Sequence, residues 1–180
     1  SDILPVPAFL QDFCKGKIYI MYHGTSVMSA IQILTHGFQQ SADGMLGRGV
    51  YVTRDRNKAA GYPYNNIHDQ VILKLRVSVG RVKKIERDGH PLQKTWHDHG
   101  YNTAWVPPHC GMVRSGFEED CVWNPNRIKV VGIEKAPPMY LPCLQQLLLT
   151  HNTQHSCSSF PDPLFRGLSI LSQLSNLHSF

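Results

Sequence analysis

The chain has 180 residues, 42% of them hydrophobic, and a mean hydropathy of −0.25. Such values describe a globular protein with room for one core-bearing domain and an appendage, and no apolar run approaches bilayer-spanning length. The formal charge of +5 resides in residues 1–140, since residues 141–180 carry only Asp162 and Arg166; so modest an excess favours anionic ligands without implying nucleic acid.

Residues 18–23 are β-branched and aromatic and predict a strand. Thr25 or Ser26 can then cap a helix with Val27, Ala30, Ile31 and Leu34 on one stripe and Gly37 as its stop. A Gly-rich polar loop is expected over 39–48, a short strand over 49–53, and a short helix from Arg54 to Gly61, ended by Pro63. The clearest strand is 71–79, whose alternation of Val71, Leu73, Leu75, Val77 and Val79 with Ile72, Lys74, Arg76 and Ser78 predicts one wet face. Gly80 interrupts it before another strand over 81–85. Residues 88–118, with Pro107-Pro108 and many His, read mostly as loop. Asp120 to Asn124 and Arg127 to Ile133 predict two closing strands.

Pro137-Pro138 ends the compact pattern, which predicts a domain over 1–140 and a tail over 141–180. In the tail a short helix (Leu144 to Leu149) precedes a polar linker at 150–159. Residues 163–178 then form an amphipathic helix with Leu164, Leu168, Leu171 and Leu174 on one stripe. That helix either docks on its own domain or meets a second copy or another protein. Short strands outnumber helices and do not alternate regularly with them, so the fold class is α+β.

The five cysteines (Cys14, Cys110, Cys121, Cys143, Cys157) are odd in number, dispersed and without a CxxC pair. They predict free thiols in a reducing compartment, the cytoplasm. Ser1-Asp2-Ile3-Leu4-Pro5 lacks the basic and apolar regions of a signal peptide. His90, His97, His99, His109, Cys110 and Cys121 fit no standard zinc spacing, and no metal is expected.

Two segments carry most of the functional signal. Tyr22-His23-Gly24-Thr25 closes the first strand, and Gly47-Arg48-Gly49-Val50-Tyr51-Val52-Thr53 lies in the second, with ten residues between Tyr51 and Tyr62. A lone His at a strand end, two tyrosines near a turn, or an acidic trio such as 118–120 is ordinarily structural or solvated. Their co-occurrence in this order is specific. Together they resemble the ADP-ribosyltransferases of the diphtheria-toxin and poly(ADP-ribose) polymerase (PARP) type, whose signature is His-Tyr-Glu. Tyr22-His23-Gly24-Thr25 resembles the first motif, Gly49-Val50-Tyr51 the second, and Tyr62 the second clamping tyrosine. Within Glu118-Glu119-Asp120-Cys121-Val122-Trp123-Asn124, Glu119 best matches the late acid. The stretches 41–51 and 100–108 are similar to the small interferon-induced PARP-like proteins of fish, first noted as reovirus-induced in grass carp.

The resemblance covers roughly residues 17–134. It implies two small, mostly antiparallel sheets around an NAD cleft, with NAD as substrate. It implies catalytic roles for His23, Tyr51 and Glu119, and NAD contacts from His23, Gly24, Thr25, Arg48, Gly49, Tyr51, Ala59 and Tyr62. Tyr51 and Tyr62 would stack on the nicotinamide ring, and Gly24 would offer its backbone to the carboxamide. His23 would bond a ribose hydroxyl, and Glu119 would accept from the ribose 2′-OH. Arg48, Arg54, Arg56 and Lys58 surround the second motif as candidate pyrophosphate partners. Ala59 departs from the pattern, because PARPs commonly have Ser there to bond the carboxamide.

The implied function is transfer of one ADP-ribose unit to a protein side chain or nucleic acid end, in innate antiviral defence and without a membrane partner. A catalytically inactive binder of NAD or ADP-ribose, acting through a protein partner, is the alternative. An RNA 2′-phosphotransferase would share the early His-Gly-Thr, but Tyr51 speaks against it.

Overall fold

The computed structural model describes residues 16–63 and 65–157, without the side chains of 154–157. Strand β1 (Ile18–Ser26) runs directly into helix α1 (Val27–His36). Ser26 is the cap: its side chain accepts from the Ser29 N–H at 3.2 Å, satisfying a donor the first turn cannot pair internally. At the other end the Gly37 N–H returns to the Ile33 carbonyl at φ +84°, where glycine is unstrained. Val27, Ala30 and Leu34 are buried, with Ile31 packed beside them, as the stripe requires.

Strand β2 (Val50–Val52) leads to the short helix α2 (Arg56–Ala59), whose Asp55 cap accepts from Asn57 and Lys58. Then follow β3 (Gln70–Ser78), β4 (Val82–Lys84), a 3₁₀ turn at Trp96–His99, β5 (Thr103–Val106), β6 (Glu119–Val122) and β7 (Ile128–Lys135). Helix α3 (Leu141–Cys157) is the last described element.

Two sheets result. The first has the order β1-β3-β7 and is antiparallel throughout; the second has the order β2-β6-β5-β4, with only β4 and β5 parallel. They meet at a single antiparallel bridge, where the Tyr22 N–H donates to Thr53 O at 2.7 Å and the Thr53 N–H to Tyr22 O at 3.1 Å. This is the expected α+β architecture. One core cluster contains β1, α1 and β3 residues such as Met21, Leu34, Leu73 and Leu75, together with Val50, Val52 and Val122. The other gathers Leu46, Ile85, Trp96, Ala104, Val106 and Cys121. Within the short strands β2 and β6, alternate residues thus serve different cores.

Three expectations are corrected. The expected wet face of β3 is wet only at its middle: Lys74 is half-buried and Arg76 exposed, while Ile72 is as buried as Leu73 and Ser78 is buried too. Whatever covers Ile72 and Ser78 packs onto that face from outside the strand, so its own alternation did not reveal it. The supposed loop 88–118 contains β5, a strand of four residues ended by Pro107-Pro108, too short to set up a period. The short helix and linker expected over 144–159 are replaced by the continuous helix α3, with no linker before Cys157. Leu144 is buried in the first cluster, and Leu147 and Leu148 pack on it. The described residues fall into two compact units divided after Leu148. The amphipathic helix expected at 163–178 lies outside the described residues. Among those described, no helix is long and apolar enough to cross a membrane.

Gln70 joins the start of β3 to the turn after α2. Its buried amide donates to the carbonyls of Ala60 and Tyr62, and its oxygen accepts from Lys135 Nζ at 2.8 Å. Gln70→Ala removes one bond from each of the three partners. It is expected to cost about 1–3 kcal/mol, read as a lower urea midpoint at constant m-value.

Candidate active site

The meeting point of the two sheets opens into a cavity of about 360 Å³. His23, Gly24, Tyr51, Ala59, Tyr62 and Glu119 all line it, as do Asp43 and Lys58. Four separate elements and their adjoining turns therefore contribute. A second cavity, of about 550 Å³, shares His23, Ser41 and Tyr51 with the first and continues along α1 past Thr25, Ser29 and His36. Thr25 lines only this second space. Arg48 and Gly49 line neither: Arg48 is exposed, and Gly49 is packed so closely on Cys121 that a Cβ would meet its sulfur.

His23 is oriented by the backbone of Tyr51. Nδ1 lies 2.8 Å from Tyr51 O, and a carbonyl can only accept, so Nδ1 carries the proton and Nε2 is left as an acceptor. Burial pulls the imidazole pKa down and so favours the neutral ring, against the upward pull of that hydrogen bond. The edge of Phe38 packs on it at 5.2 Å, near-perpendicular.

Tyr51 does a second job through its side chain. The phenol donates to Gly47 O at 2.7 Å and accepts from the Leu46 N–H at 3.0 Å, holding the loop that forms one wall. A Cβ on Gly44 would collide with the phenol oxygen, so the absence of a side chain there lets the loop close. Trp96 Nε1 donates to Leu46 O at 2.7 Å and Gln93 Nε2 to Met45 O at 3.1 Å, fixing the same loop from outside. Burial raises the Tyr51 pKa well above its ordinary value. Gly24 has a packing reason of its own, because a Cβ there would run into the carbonyl oxygen of Ala59.

The three acids at the start of β6 have three different fates. Glu118 is buried and accepts from the Arg54 N–H at 2.8 Å, Arg54 Nη2 at 2.6 Å and Trp105 Nε1 at 3.0 Å. Burial alone would raise its pKa, but these bonds from Arg54 and Trp105 hold the carboxyl below the usual range. The Arg54 guanidinium is further placed over the rings of Tyr19 at 5.1 Å and Trp105 at 5.6 Å. Glu119 points the other way, into the cavity, with Oε1 at 3.3 Å from Lys58 Nζ. That ammonium is buried and makes no aligned hydrogen bond, so the contact is an ion pair without hydrogen-bond geometry. Asp120 is buried again, with Oδ2 unpartnered, and burial followed by the charge of Glu118 pushes its carboxyl up to about 8.

Of the four candidate pyrophosphate cations, Arg54 is thus held by Glu118, Lys58 is paired with Glu119, and Arg56 is bound to Glu134 at 2.8 Å. Cys121 is buried, and burial pushes its thiol up to about 12, so it is no nucleophile. Sequence reasoning passed over the second cavity, although Ser29, Gln32 and His36 recur at helical spacing as a polar stripe on α1 that could have pointed to it.

The two sheets meet at a cavity lined by His23, by Tyr22, Tyr51 and Tyr62, and by the late acid Glu119. The sequence profile of the poly(ADP-ribose) polymerase catalytic domain matches residues 6–105 of this chain, more than half of it, and the chain belongs to that family. Glu119 lies beyond the matched stretch. Comparison with curated proteins returned no match.

The orphaned acid has a measurable consequence. Burial on folding raises the Asp120 pKa from the ordinary aspartate value of 3.8 to about 8. The native state therefore keeps a proton that the unfolded chain loses, and Asp120 lowers stability as pH rises between those values. Asp120→Asn removes this slope. The Tm difference, variant minus wild type, is expected to grow in the variant's favour from pH 5 to pH 8; a difference constant with pH would refute the assignment.

Proposed function

We propose that the domain binds NAD across the two cavities, breaks its nicotinamide–ribose bond and transfers a single ADP-ribose unit to an acceptor. The observation that carries this reading is the convergence of His23, Gly24, Tyr51, Ala59, Tyr62 and Glu119 on one cavity. Family membership supplies the substrate class, since PARP catalytic domains use NAD.

The nicotinamide of NAD leaves with the bonding electron pair and needs no proton, so catalysis reduces to orientation and electrostatics. In this reading Tyr51 and Tyr62 flank the ring, each such contact worth about 0.5–1.5 kcal/mol beyond burial. Neutral His23 accepts a hydrogen bond from a ribose hydroxyl at Nε2. Glu119 accepts from the ribose 2′-OH and enriches the ring in electrons as positive charge develops at C1′. The acceptor then bonds to C1′ and gives up its proton. The second cavity, which shares His23, Ser41 and Tyr51 with the first, suits the adenosine half. Ala59 offers no hydroxyl to the carboxamide, at a cost of about 0.5–1.5 kcal/mol in binding.

That missing hydroxyl favours a second reading, a catalytically inactive domain that binds NAD or ADP-ribose for a protein partner. Nicotinamide release from labelled NAD separates the two, since a pure binder releases none. A role in cytoplasmic antiviral defence is the physiological setting we propose, on the resemblance to the interferon-induced fish proteins.

Glu119→Gln keeps the shape but removes the charge. Binding of NAD is expected to persist while turnover falls by about 10² or more, the scale of losing one preorganised electrostatic partner. Unchanged turnover, in a steady-state nicotinamide assay, would identify the wrong acid. The products are expected to be single ADP-ribose adducts, because the described residues offer no added segment to hold a growing chain; polymer ladders on a denaturing gel would contradict this.

A further inference from the structure

A third cavity, of about 350 Å³, shares no lining residue with the other two. Gln40, His97, Asn102, Trp123, Asn124 and Arg127 line it. The rings of His97 and Trp123 are stacked, with centroids 3.8 Å apart and planes within 9°. Trp96 braces the indole edge-on at 6.2 Å, and Gln40 Nε2 donates to Trp123 O at 2.6 Å, so the platform is held from two sides.

The polar groups around the stack are also fixed. Asn102 Oδ1 accepts the Arg81 N–H at 2.8 Å, and Asn124 Oδ1 accepts the Asn126 N–H at 3.0 Å. With both oxygens occupied, each amide presents its NH₂. The Gln40 side chain, donating through Nε2, retains an acceptor oxygen. Arg127 is buried with Nη1 on Ser78 O, and a Cβ at Gly80 would meet both that guanidinium and the Asn102 amide, so these two groups are neighbours. Next to Asn102, the Tyr101 ring carries the Arg81 guanidinium at 4.4 Å and Lys83 Nζ at 5.5 Å. Arg81 is exposed, and Glu86, the acid nearest in sequence, is engaged by Lys84 at 2.8 Å.

Packing accounts for Trp123, which lies against the second core cluster. It does not account for a half-buried imidazole continuing the stack, amide donors on the same cavity and a cation pair alongside. An aromatic platform, fixed amides and cations are the set that recognises a nucleotide: a π-face for the base, polar groups for its edge, positive charge for its phosphate. We propose that this cavity binds a nucleotide, with the base stacking on the His97–Trp123 pair and the phosphate reaching Arg81 and Lys83. The base comes from a free mononucleotide or from single-stranded RNA, and the site is separate from the Tyr22–Glu119 cavity and independent of the chemistry proposed there.

The test uses the whole chain with two probes, AMP by calorimetry and a labelled oligoadenylate RNA by fluorescence anisotropy. His97→Ala is expected to weaken binding about tenfold, the scale of one base–aromatic contact, and His97→Phe to restore it. Arg81→Ala is expected to weaken RNA binding and to flatten its dependence on log salt by about one. Nicotinamide release from NAD should be unaffected by these variants. Binding of RNA much tighter than AMP assigns the base to nucleic acid; binding of AMP alone, weakened in His97→Ala and persisting with NAD in excess, assigns it to the free nucleotide. Binding of neither probe overturns the proposal, as does unchanged affinity in His97→Ala or in Arg81→Ala. Duplex RNA bound as well as single-stranded RNA also overturns it, because a paired base cannot enter the stack.

Discussion

The site depends on one short contact, the reciprocal pair of hydrogen bonds between Tyr22 and Thr53. It joins two sheets that otherwise belong to different pairings, and it does so immediately before His23 and immediately after Val52. With that bridge made, the Tyr51 carbonyl reaches the imidazole at 2.8 Å and the turn after α2 packs under Gly24. Backbone bridges of this kind are individually modest in net energy. Their value here is geometric, since every cavity residue from either sheet is referred to the same joint.

The beginning of β6 shows how alternation and neighbours divide a run of like charges. Adjacent acids in a strand point to opposite faces, so Glu119 alone of the three enters the cavity. Its two neighbours turn toward Arg54, which can satisfy only one of them well. Glu118 receives the guanidinium and the indole N–H, and Asp120 is left with an unpartnered oxygen in a buried setting. A buried carboxyl without a partner is costly unless it holds its proton, which is the direction its pKa takes.

Much of this could be read from the residues because the informative features are local. A β-branched run closing on His23-Gly24, a capped helix with an apolar stripe, and an acid opening a late strand all declare themselves within a few positions. What escaped notice was set by distant partners. The ends of the polar face of β3, Ile72 and Ser78, are buried by residues from elsewhere in the chain, and nothing in its own alternation records them. Strand β5 has four residues, fewer than a period needs to show. The Glu118–Arg54 pair spans 64 positions and the Gln40–Trp123 bond 83, beyond the range of any pattern. The second half of helix α3 carries Thr, His, Asn, Gln and Ser residues whose composition reads as a linker.

Tyr51 joins two functions through different atoms. Its main-chain oxygen aims the imidazole, while its phenol closes the loop over the cavity. The two are chemically separable, since the carbonyl survives any side-chain replacement. A phenylalanine here would leave the imidazole aimed but untie the wall, so the orientation of a ring and the closure of a loop come under the control of opposite ends of a single residue.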